Sequence, residues 1–194
     1  MPLGDRLSFH TMVQNRWTDG VKDAYERTVV RPWLAVALPH HTEAAVGYDM
    51  HGFENPDDRR EHRAWQRIAW APRPASRVTL LSHFWLEERF FEGASDVAVR
   101  GRFNVGARFD LGRDFDLVVR NEFFVNFNET SRVRATGLGE NQLVVAFMKG
   151  LPGGLTFQAG YLQQYLDRPG GSDLFNHTAV TGFVWRTPAA ADWL

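Results

Sequence analysis

One property of this chain constrains its fold more than any other: an alternation of side-chain character with period two, sustained from Asp96 to Leu111. Val97, Val99, Gly101, Phe103, Val105, Ala107, Phe109 and Leu111 fall on one side of it, and Ala98, Arg100, Arg102, Asn104, Gly106, Arg108 and Asp110 on the other. Successive side chains of a β-strand point to opposite faces, whereas a helix repeats every 3.6 residues, so the pattern specifies a strand with one apolar and one strongly polar face. The preceding segment repeats it, with Val78, Leu80, Phe84, Leu86 and Phe90 opposite Arg77, Thr79, His83, Glu87 and Arg89. The next sets Leu117, Val119, Phe123, Val125 and Phe127 against Arg120, Glu122, Asn126 and Asn128.

Applied along the chain, the same template predicts ten strands, over 7–17, 27–38, 42–51, 60–71, 76–90, 96–111, 116–127, 140–149, 154–165 and 176–186. Residues 57–70 admit a second reading, because Ala64, Trp65, Ile68, Ala69 and Trp70 could form a helical stripe. Pro72 and Pro74 bound that segment closely, and a strand suits the flanking hairpins better. The connections alternate in length. Those at 39–41, 72–75, 112–115 and 150–153 are short and hold turn formers such as Leu151-Pro152-Gly153-Gly154. Those at 18–26, 52–59, 91–95, 128–139 and 166–175 are mostly longer. An even number of strands with short turns at one end and long loops at the other is the pattern of a closed, up-and-down transmembrane barrel. The expectation is one all-β barrel domain over 1–187, followed by a short tail at 188–194.

Period two does not say which face is inside. A soluble barrel binding an apolar ligand would turn the apolar face inward, and a membrane barrel would turn it outward. Strand length favours the membrane, since soluble strands are most often about five or six residues long. The apolar face also ends in bulky aromatics, including Trp70, Phe84, Phe90, Phe109, Phe157, Tyr161, Phe183 and Trp185, as interfacial girdles do. No run approaches eighteen apolar residues, so no transmembrane helix is predicted. Met1-Pro2-Leu3-Gly4-Asp5-Arg6 leads straight into alternating sequence, and an exported form is expected to have had its leader removed.

Composition narrows the partners. The formal net charge is −1, which argues against nucleic acid and against a polybasic membrane anchor. There is no cysteine, which rules out disulfides and thiolate metal sites and fits an oxidising compartment such as the periplasm. Of the 22 basic residues only Lys22 and Lys149 are lysine; arginine's planar fork suits buried ion pairs, and a GC-rich genome would give the same bias.

The segments EHRAWQR (61–67), LEERFFE (86–92), VRNEFFVNFN (119–128), ENQLVVAF (140–147) and AGYLQQY (159–165), in this order and at these distances, resemble the bacterial family called domain of unknown function 2490. The likeness spans about residues 25–186. It implies an outer-membrane β-barrel of Gram-negative bacteria without an assigned activity, with outer-membrane lipid as its surroundings. One departure is the C-terminus. Such barrels usually finish on an aromatic residue, and here Phe183-Val184-Trp185 is followed by nine more residues, 186–194.

For chemistry, the candidate is the charged face. With that face inward, the hairpin at 91–95 sets Glu87 near Arg100 and Arg102. The hairpin at 72–75 is expected to bring Glu61 and Arg63 toward His83, and the one at 112–115 to bring Glu122 near Arg108 and Arg120; Arg89, on the same polar face, is counted in the network. Eight to ten strands leave an interior that side chains largely fill, and charges within it must pair to offset desolvation. A structural polar network is therefore favoured over catalysis or transport. Histidines offer no ligand spacing: His40-His41 occupies a turn, while His51, His62 and His177 fall near loop ends. Ser82 and His83 are adjacent and so point to opposite faces, which prevents a direct nucleophile–base pair. Asn55-Pro56-Asp57-Asp58 could assist a divalent cation, although a solvated loop explains it as well. No cofactor or metal is implied. The function classes left open are a barrel with a structural, binding or narrow-channel role, a rim-active lipid hydrolase, and the soluble barrel.

Overall fold

The computed structural model describes residues 3, 6–18, 25–53, 60–133, 135–168 and 170–185. Ten strands make up the fold: β1 (Leu7–Thr18), β2 (Tyr25–Leu38), β3 (Thr42–Phe53), β4 (Glu61–Trp70), β5 (Val78–Phe91), β6 (Val97–Gly112), β7 (Phe115–Asn126), β8 (Gly137–Leu151), β9 (Leu155–Leu166) and β10 (Leu174–Trp185). Every predicted strand is present, with ends displaced by at most three residues. The segment with a helical alternative is strand β4. Residues 55–58 and 186–194 lie outside the described residues.

Each strand pairs antiparallel with its neighbour in sequence, giving one sheet in the order β1 to β10. The tight hairpins explain how. His40 and His41 have φ of 60° and 58°, and Arg113 and Asp114 have φ of 54° and 61°. Two consecutive left-handed residues twist a turn in the same sense as its flanking strands, and His and Asp are among the side chains that tolerate that region best.

The closed barrel expected from the sequence is realised as far as a ten-stranded meander. Among the described residues β1 and β10 do not pair with each other, and the sheet is open between them. Every other pair joins strands that are consecutive in sequence; these two are the first and the last.

The sheet is nevertheless strongly curled. Arg31 on β2 and Trp85 on β5 are three strand spacings apart, roughly 14 Å across a flat sheet. Their side chains meet, with the Arg31 guanidinium 4.8 Å from the Trp85 ring centre. Side chains standing perpendicular to a flat sheet would not touch over that span, so this face is concave. It is also the charged face. Asp49 and Glu87 on it are 0 % exposed, whereas Val105 and Phe183 on the convex face are 59 % and 66 % exposed. On this sheet burial therefore runs with the charged side chains on the concave side and the large apolar ones on the convex side.

Candidate functional site

The concave face of β2–β7 holds an interlocked set of carboxylates and guanidiniums. Residues 61, 63, 65 and 67 of β4 share this face, as do 83, 85, 87 and 89 of β5, because alternate residues of a strand lie on one side. The β5–β6 register places Glu87 directly opposite Arg100, and β6–β7 places Asn104 opposite Glu122.

Glu87 is the centre. Arg100 Nε donates to its Oε2 at 2.8 Å and Arg102 Nη1 to its Oε1 at 3.0 Å, while Arg63 Nη1 stands 3.8 Å away. Glu61 accepts from Arg63 Nε and Nη2 at 2.7 and 2.9 Å and from Arg89 Nε at 2.6 Å. Glu122 accepts from Arg102 Nε at 2.8 Å and lies 3.1 Å from His83 Nε2. One chain of contacts thus runs Arg89–Glu61–Arg63–Glu87–Arg102–Glu122–His83 across four strands. Burying a carboxylate without partners is costly, and here each accepts charge-assisted hydrogen bonds from at least two donors.

A second group adjoins it on β2–β4. Arg31 grips Asp49 through both oxygens, at 2.7 and 2.5 Å, and Trp65 Nε1 donates to Asp49 Oδ1 at 2.6 Å. Arg67 pairs with Glu43. Trp85 joins the two groups: the guanidiniums of Arg31, Arg67 and Arg102, from β2, β4 and β6, stand 4.8, 5.6 and 4.5 Å from its ring. Trp65 packs on Trp85 with ring centres 4.2 Å apart, and Gly47 makes room for it.

Of the residues expected to form the network, Glu61, Arg63, His83, Glu87, Arg89, Arg100, Arg102 and Glu122 meet in it. The pairing of Glu87 with Arg100 and Arg102 is as the sequence indicates. Two expected contacts differ. Glu61 and Arg63 meet Arg89 and Glu87 rather than His83, because the β4–β5 connection spans 71–77 and sets Trp70 opposite Ser82, placing Arg63 opposite Arg89. Glu122 meets Arg102 and His83 rather than Arg108 or Arg120. Arg108 is opposite Val118, four residues along β7 from Glu122, or roughly 13 Å. Arg31, Asp49, Glu43 and Arg67 were not anticipated. Their signal was available: the His40-His41 turn sets Leu38 opposite Thr42, which carries Arg31 to the level of Asp49.

Chemically, the arrangement is a set of ion pairs whose carboxylates are all matched, while Arg67 Nε and Trp85 Nε1 are buried without a hydrogen-bond partner among the described residues. His83 and Glu122 resemble a base and its orienting acid, but Ser82 projects from the other face and donates to the Trp70 carbonyl at 3.2 Å. A family model described as a protein of unknown function, DUF2490, matches residues 1–176. The chain belongs to that family. Within this DUF2490 member, EHRAWQR supplies Glu61, Arg63, Trp65 and Arg67, and LEERFFE supplies Glu87 and Arg89, so both segments contribute to the network. A search of curated proteins returns no match.

Proposed function

We propose that this protein is an outer-membrane β-barrel in which β1 and β10 meet, the convex face touches lipid, and the charged concave face fills the lumen as a plug. The observation that carries the reading is the inverted burial: ionised side chains inside and large apolar ones outside. In water such a surface would drive aggregation. In a bilayer it is the required one, since unpaired charge facing hydrocarbon is expensive and an open strand edge cannot persist there. The ten described strands run from 10 to 16 residues, against about nine to eleven needed to cross the hydrocarbon when tilted. Exposed aromatic side chains on the convex face include Trp70, Phe109 and Phe147 toward the short turns and Phe90 and Phe175 toward the loops, where interfacial belts would lie, and Tyr48, Phe84, Phe103 and Tyr161 in mid-strand, where hydrocarbon would meet them.

A lumen filled in this way suits a structural or binding role, or passage of only small ions and water. The test is incorporation into lipid. The purified chain should require detergent for solubility, fold into vesicles and show heat-dependent gel migration. Val105→Arg, which sets a charge against mid-bilayer hydrocarbon, should destabilise the folded form by about 2–4 kcal/mol. Thr178→Arg, on the concave side of β10, should do so far less. A chain that is monodisperse without detergent, or in which Thr178→Arg is the more damaging change, would sink the proposal.

A further inference from the structure

Beyond the plug, the concave face carries cationic side chains that the ion-pair network does not use. Six arginines are matched: Arg31 to Asp49, Arg63 and Arg89 to Glu61, Arg67 to Glu43, Arg100 to Glu87, and Arg102 to Glu87 and Glu122. Arg108 and Arg120 are on the same face, nearer the short turns, and among the described residues neither has a carboxylate oxygen within 4.0 Å. Asp110, next along this face, accepts the Gly112 amide at 2.7 Å, and Asp116 stands opposite it, closer still to the turn.

The register brings three donors together around one glycine. Arg120 is opposite Gly106, and Arg108 and Asn104 flank Gly106 two residues to either side on the same face. Both are therefore diagonal neighbours of Arg120, at a spacing of roughly 7–8 Å, within reach of long side chains. Gly106 is required there: a Cβ would stand 2.4 Å from the Val119 carbonyl oxygen and 2.6 Å from the Arg120 Cβ. Asn104 is buried and its amide nitrogen has no hydrogen-bond partner. Buried polar nitrogens are rarely left so, and beside it stand two guanidiniums that no carboxylate grips directly; Glu122, opposite Asn104, acts on Arg120 only through its charge and is already held by Arg102 and His83.

We propose that Arg108, Arg120 and Asn104 form an oxyanion-binding site in the turn-side half of the concave face, matched to a phosphate group. Two guanidinium forks favour a dianion with several acceptor oxygens, and the Asn104 amide supplies a further, neutral donor. The site depends on the concave face alone, not on where the sheet resides. A chain soluble without detergent would refute the membrane reading and leave this site testable in buffer.

The test is calorimetric titration of the full chain in detergent micelles, in a constant chloride background, with inorganic phosphate and separately with glycerol 3-phosphate. The expected result is saturable binding, weakened tenfold or more by Arg108→Gln and by Arg120→Gln and a few-fold by Asn104→Ala. Lys149→Gln, on the convex face, should leave it unchanged. Heat-dependent migration checks that each variant folds; if Arg120→Gln does not, Arg108→Gln and Asn104→Ala carry the measurement. Tighter binding of glycerol 3-phosphate assigns the site to a lipid headgroup, and equal or weaker binding assigns it to a free phosphate. No saturable binding of either probe, or binding unchanged in the folded variants, overturns the proposal.

Discussion

The concave face is built in two ways. On β4–β7 it is ionic, with Glu61, Glu87 and Glu122 each buried and gripped by arginine or histidine. On β8–β10 it is largely neutral: Glu140 accepts from Gln142 and Gln164, both at 2.5 Å, and Gln164 accepts from Asn176 at 3.2 Å. The ionic side is buried, the amide side only partly so. Both arrangements bridge neighbouring strands, but they fail differently. Removing one partner of a buried ion pair strands the other charge, whereas an amide that loses a partner near solvent can turn to water. The ionic side therefore fixes register against slippage, and the amide side tolerates rearrangement where the sheet is open.

The largest effect expected from this contrast is at Glu87. Glu87→Ala should cost about 3–5 kcal/mol in equilibrium unfolding, because Arg100 and Arg102 lose their shared counter-charge. Gln164→Ala should cost only about 0.5–1.5 kcal/mol. A double-mutant cycle of Glu87→Gln with Arg100→Gln should return coupling of about 0.5–3 kcal/mol. Equal costs for the two alanine changes, with no coupling in the cycle, would erase the distinction between the two sides.

A smaller effect is expected at Gly47, where the ionic side leans on its tryptophans. A Cβ there would stand 2.3 Å from Trp65 Cζ2 and 2.7 Å from the Trp33 Cβ. Gly47→Ala should overpack the pair and cost about 1–3 kcal/mol by the same unfolding measurement. A neutral result would mean that Trp65 repacks freely and that the ionic side is looser than its contacts indicate.

The smallest concerns the loop end. Asp96 accepts from the Ser131 backbone amide at 2.6 Å and from its hydroxyl at 2.9 Å, and these bonds hold its carboxyl below the ordinary aspartate value. A depressed carboxylate contributes stability above its unfolded value and loses it as pH falls through the folded one, so the clamp should persist at neutral pH and release only in acid. The Ser131 amide resonance should titrate with a midpoint below about 3.9 and lose that step in Asp96→Asn. A midpoint at or above that value would show that the clamp does not form.

Much of this was legible in the sequence. Strand positions and faces follow from local alternation, and Glu87 with Arg100 follows because the 92–96 loop is short and its hairpin nearly symmetrical. The misplacement of Glu61 and Arg63 has an equally local cause. Residues 71–77 form an asymmetric connection, with Val78 N donating to the Ala75 carbonyl and Leu80 N to that of Pro72, so the register is not centred on the prolines. What alternation cannot express is curvature. Arg31 over Trp85 joins strands that are not neighbours, and only a bent sheet brings them together. Orientation was likewise hidden, because a period of two is the same whichever face is concave.

That contact has a consequence in time rather than in space. Every strand pair here is formed by consecutive segments, so hairpins can assemble one after another along the chain with little loop-closure entropy to overcome. Trp85 cannot gather Arg31, Arg67 and Arg102 until β2 to β6 are all in place and the ribbon has bent. The indole therefore marks a late event: a chain with all its hairpins made but its tryptophan still uncovered has paired its strands without yet acquiring a curved shape.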